Sequence, residues 1–185
     1  GHVAYVLAPD RSIVQSGAKL CLEGRWYESD PDEDGRILIP YGQSKQKLKI
    51  IIAALGMAQL SEFERFKEQY EMVAAHVLVN KSVVMGQNAK VLIQPKLSCC
   101  GRSCDLQLIK KAQVTISMRC GSESVPTVRT FSDVTWEMGN IHVEFLVPPK
   151  LKSIEAALQI EVFNHSKQEV EKLSSTRRRC VDDFS

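Results

Sequence analysis

The chain has 185 residues, 44% of them hydrophobic and 25% charged, with a formal net charge of +2. That length accommodates one generous domain or two small ones, each with its own core. The composition excludes a disordered chain, and the near-neutral balance gives no general attraction to nucleic acid.

From the N-terminus, "GHVAYVLAPD" has neither an initiator Met nor the basic and apolar regions of a signal peptide, so the chain reads as a piece of a longer one. Alternating segments at 3–7, 19–23, 25–27, 36–39 and 48–54 predict a small β unit over residues 1–59, fit to be part of a sandwich. The most apolar run, residues 48–60, is too short for a bilayer and contains Gly56, so it reads as buried strand, not as a membrane span.

Within this unit, "SDPDEDGRILIPY" sets Asp30, Asp32 and Asp34 at alternate positions before Gly35. Alternating oxygens followed by a glycine open an EF-hand loop, which closes with a bidentate Glu at its twelfth position. Counted from Asp30, that position is Tyr41, and both flanks have strand character. The Asp-Gly pair therefore predicts a hairpin turn, with a looser calcium site on the three carboxylates as the competing reading.

Residues 60–74 place Leu60, Phe63, Phe66, Tyr70 and Val73 at helical spacing, and Ser61 with Glu64 has capping-box spacing. A short connecting helix is predicted, its aromatic stripe serving packing. Over 75–170, "KVLIQP", "QVTISM", "IHVEFLV" and "AALQIEVF" alternate strictly. Turn signals such as "MGQN" and "EMGN" punctuate them, with Gly86 and Gly139 suited to tight turns. About seven short strands with such punctuation predict an immunoglobulin-like antiparallel β-sandwich. Residues 171–185, with "TRRRC", read as a polar tail or linker.

Cys99, Cys100, Cys104 and Cys120 are the sharpest chemical candidates. Zinc wants paired ligands on two knuckles, whereas Cys120 stands apart and Cys99 and Cys100 diverge on a continuing strand. A local disulfide, such as Cys100 or Cys104 with Cys120, competes with plain reduced thiols. Sequons at Asn80 and Asn164 are candidate glycosylation sites and favour an extracellular setting over a cytoplasmic one. His2, His76, His142 and His165 lie in no catalytic motif, and no nucleophile elbow, Walker loop or dinucleotide fingerprint occurs, so no catalytic residue and no cofactor is nominated. Lysines at 45, 47, 49, 110 and 111 lack interleaved aromatics for nucleic acid and suit the protection of strand edges.

The phrases "DEDGRILIPY" (32–41) and "HVLVNKSVVMGQNAKVLIQP" (76–95) resemble macroglobulin-type β-sandwich modules, in a pattern that fibronectin-like and other immunoglobulin-like modules share. The resemblance implies a non-catalytic module of a multi-domain protein that binds other protein domains, in the first place those of its own chain. The thioester motif G-C-G-E-Q of the active members is absent, so no functional residue carries over. The sequence thus predicts a mainly β protein with one connecting helix and a structural or interaction role, with a calcium- or zinc-stabilised binding module as the alternative.

Overall fold

A computed structural model describes residues 1–78, 84–121, 125–132, 134 and 136–180. Two compact units emerge, Gly1–Glu68 with His165–Lys167, and Gln69–Asn164 with the chain from Gln168 onward.

The first unit contains β1 (His2–Ala4), β2 (Lys19–Leu22), β3 (Arg25–Glu28), β4 (Ile37–Ile39), β5 (Gln46–Ala54) and β6 (Met57–Arg65). β1 pairs with β4, and the other four form an antiparallel sheet of order β3-β2-β5-β6. Alternation decides what is buried: Leu20 and Leu22 of β2, Ile37 and Ile39 of β4, and Ile50 of β5 share one core with Val14 and Ala18. The Asp-Gly turn differs from the expected hairpin. It leads from β3 to β4, strands of different sheets, and only an isolated bridge between Asp30 and Arg36 joins its arms. The turn is a corner that carries the chain from one layer to the other.

The second unit contains β7 (Tyr70–Leu78), β8 (Asn88–Cys99), β9 (Arg102–Ser103), β10 (Ile109–Cys120), β11 (Thr127–Ser132), β12 (Trp136–Glu137), β13 (Asn140–Leu146), β14 (Leu151–Asn164) and β15 (Glu169–Cys180). One sheet has the order β11-β10-β14-β15; the other runs β12-β13-β8-β7, with β9 paired to β8. Val91 and Ile93, Ile141 to Phe145, Val114 to Met118 and Ile154 to Val162 turn alternate side chains into a single core drawn from both sheets. This is the face-to-face packing of a β-sandwich. Pro95 is compatible with its place in β8 because β13 pairs only with Asn88 to Ile93, leaving the missing N–H outside that ladder.

Four hairpins, at Glu23-Gly24, Leu55-Gly56, Cys100-Gly101 and Met138-Gly139, close on two residues that both have positive φ. Such turns match the twist of the strands they join, and glycine is the residue that adopts this conformation without strain.

Two expectations are corrected. The predicted helix over 60–74 is strand: Leu60 and Phe63 belong to β6, and Tyr70 and Val73 to β7. Phe63 is half-buried on the core side, whereas Leu60 and Val73 are exposed, so the stripe at helical spacing is a composite of two strands and their link. The predicted polar tail is also strand as far as Cys180, since β15 pairs with β14 from Asn164↔Glu169 to Ser153↔Cys180. An edge strand needs only one apolar flank, so its sequence carries little of the alternation by which inner strands are recognised.

Candidate functional site

Asp30 caps a short 3-10 turn at Pro31–Glu33; its Oδ1 accepts from the Asp32 backbone N–H at 3.0 Å. Proline suits the first position of such a turn, having no N–H to leave unpaired. Asp34 follows in the left-handed region at φ 55°, and the Asp30 carbonyl accepts from Gly35 N–H at 2.9 Å. Glu33 forms an ion pair with Arg36. Asp30, Asp32 and Asp34 are thus together in one exposed loop, with Asp30 engaged in shaping it. Among the described residues, no group of three or more His, Cys, Asp or Glu side chains is placed to hold a metal ion.

Cys99 ends β8 buried, and Cys100 opens the following turn at φ 51°, which leaves their Sγ atoms 3.9 Å apart. Cys104 returns toward the same strand, its N–H donating to the Leu97 carbonyl at 2.9 Å. Burial, reinforced by the neighbouring Cys100 thiol, pushes Cys99 up to about 12, so it is held as the protonated thiol. Cys120 closes β10 in the opposite sheet. No disulfide joins any of the six cysteines, all of which lie among the described residues. The structure shows no disulfide among Cys99, Cys100, Cys104 and Cys120, and the Sγ atoms of Cys99 and Cys100 lie at nearly twice the bonded S–S distance of about 2.05 Å.

Asn80 lies outside the described residues. Asn164 is fully buried at the end of β14, and its Nδ2 donates to Glu171 Oε1 at 3.0 Å. A glycan on that nitrogen requires the side chain to leave its bond and turn outward.

A constellation not singled out in the sequence lies where β7 and β15, edge strands of opposite sheets, meet along one side of the sandwich. Ala74 N–H donates to Ser175 Oγ across this seam at 3.3 Å. One step along, a cavity of about 20 Å³ is lined by His76, Val91, Ile154, Ala156, Arg177 and Arg179. The His76 Nε2 is buried and has no hydrogen-bond partner. Burial holds the imidazole below its ordinary value of 6.5; the Arg177 charge adds to this and a hydrogen bond to the Ala74 backbone opposes it. Sequence reading missed the site because His76 belongs to no motif and the arginines look like a solvated run. The available signal was the continuation of alternation through Leu173, Ser175, Arg177 and Arg179.

In the first unit, a shallow groove of about 270 Å³ is bordered by Leu7, Pro9, Ile52, Leu55, Met57 and Gln59, and no titratable side chain lines it. Such a surface offers contact rather than acid–base chemistry.

The family described as AbpF third immunoglobulin-like domain matches residues 80–184, more than half of the chain and most of the sandwich. The chain belongs to this family. Among curated proteins none matches it. The immunoglobulin-like character read from the strand pattern is thereby confirmed, and the seam of β7 and β15 is a feature of this chain's immunoglobulin-like unit, with both arginines inside the matched span.

Proposed function

We propose that the chain is a non-catalytic structural and protein-interaction segment of a larger multi-domain protein, in which immunoglobulin-like units pack against neighbours and bind protein partners. The observation that carries this reading is serial position: the matched family is described as a third immunoglobulin-like domain, and a separate β unit precedes the match here. The resemblance of 32–41 and 76–95 to macroglobulin-type modules supports the same role. An extracellular setting fits the sequons, and six thiols in material from an oxidising compartment count against it.

Cross-linking mass spectrometry on the parent protein tests the proposal. Links from exposed lysines of this chain to other folded domains are expected. Links confined to the chain itself, in a protein whose neighbouring domains cross-link to one another, refute it.

A further inference from the structure

We propose that the seam between β7 and β15 is a carboxylate-binding site, in which Arg177 and Arg179 clasp an acidic side chain of a partner polypeptide and one oxygen of that side chain reaches Nε2 of His76. This deepens the interaction reading by naming the chemistry of a partner.

Residue types and placement carry the argument. The face of β15 that turns Leu173 toward the core turns Arg177 and Arg179 the same way, two residues apart. Arg177 and Arg179 are exposed at the mouth of the cavity that they line. Arg36 and Arg65 each hold a glutamate, and Arg178, on the opposite face, donates to Ser153 Oγ at 3.3 Å. Among the described residues no carboxylate pairs with Arg177 or Arg179. Two arginines and a buried imidazole nitrogen with no partner among the described residues therefore line one opening. Planar carboxylates suit such forks because two parallel N–H bonds can form.

The cavity, about 20 Å³, exceeds the ~10–15 Å³ that one water-sized atom needs, so it takes a single ligand oxygen. One carboxylate oxygen fits while the other stays between the arginines. The remaining walls, Val91, Ile154 and Ala156, are apolar and strengthen any charge-assisted bond made there.

Nε2 of His76 has no hydrogen-bond partner among the described residues, and in the tautomer protonated at Nδ1 it presents a bare lone pair to the cavity. Binding a carboxylate therefore takes one proton from solvent onto Nε2, which then donates to the ligand oxygen. The charged groups lining the cavity with His76 are Arg177 and Arg179 of β15; β8 and β14 contribute only the three apolar side chains.

The test is a titration of the full chain with hexaglutamate, acetate and inorganic phosphate, followed by nitrogen-15 NMR of the His76 ring and the arginine side chains. Hexaglutamate is expected to shift these resonances and to raise the His76 titration midpoint by about one pH unit. R177Q/R179Q is expected to weaken binding about tenfold, while R178Q, with equal charge loss per site on the other face, changes it less than about twofold. R177K/R179K keeps the charge without the forks and is also expected to weaken binding, so it carries the test if the glutamine variant does not fold. A silent His76 ring, or R178Q as damaging as R177Q, overturns the site. Phosphate outcompeting the peptide overturns the carboxylate assignment, and acetate matching it carboxylate for carboxylate overturns the polypeptide partner. None of these outcomes alters the cross-linking pattern by which the interaction role is judged.

Discussion

Substituting Gly35 by alanine isolates what the corner between the two sheets of the first unit demands. Gly35 sits at φ 76°, and a Cβ there lies 2.6 Å from the Val14 carbonyl oxygen and 2.7 Å from Gln15 Cα, both backbone atoms that cannot rotate away. Gly24 has nearly the same backbone, φ 81°, with nothing within 4 Å of its Cβ position. Alanine at Gly24 therefore carries only the left-handed penalty, about 1 kcal/mol. Alanine at Gly35 adds an overpacking cost of ~2 kcal/mol as the Val14–Gln15 segment is displaced. With a urea m-value of about 1 kcal/mol/M for so small a unit, the two midpoints should differ by ~2 M. The protein has two tryptophans, Trp26 in the first unit and Trp136 in the second, so Trp136→Phe leaves a reporter of the first unit alone. Urea unfolding of G35A and G24A in that background, read by Trp26 emission, decides the matter. Equal midpoints would falsify the close-approach argument and reduce Gly35 to an ordinary turn glycine.

Glu68 is buried, and its carboxylate accepts from the backbone N–H of His165 at 3.2 Å and of Ser166 at 2.7 Å, all within the first unit. Glu68→Ala leaves both donors unanswered at ~1–3 kcal/mol, and amide exchange at 165 and 166 should accelerate before that of β5. His76, held below 6.5 by burial, contributes stability that is fully present above that value and is lost as pH falls through its folded-state value, because the unfolded chain then binds the extra proton. Guanidinium midpoints reported by Trp136 in a Trp26→Phe background should fall with acidification, and the same chain bearing His76→Gln should fall less; identical profiles contradict the assignment. With its thiol held protonated, Cys99 should be the slowest to alkylate and exposed Cys180 the fastest, as peptide mass spectrometry after timed iodoacetamide treatment would show. With Asp30 committed to its own turn, EDTA should leave the Trp26-reported midpoint unchanged; a loss restored by calcium establishes an ion in the Asp30–Asp34 loop.

Strands whose two sides meet different surroundings were legible in advance. β8, β10, β13 and β14 alternate because each presents one face to a common core, and a period of two survives in any sequence under that constraint. The Met138-Gly139 hairpin was legible for an equally local reason, the need for positive φ. The link at 60–74 was not, because the end of β6, the start of β7 and the segment between them mimic helical spacing when read as one.

The sequence by itself determined a β protein, the faces of its inner strands and the places of several turns, since these follow from side-chain alternation and from conformations that few residues adopt. Only the tertiary structure decided that the Asp-Gly turn passes between layers, that no disulfide joins the cysteines, and that "TRRRC" is an edge strand. It alone brought Arg177 and Arg179 to His76, about a hundred residues earlier in the chain. The physical reason is that the order in which strands pair within each sheet, and so which edges come to lie side by side, depends on backbone hydrogen bonds, which every residue but proline can make and which leave no mark on residue type.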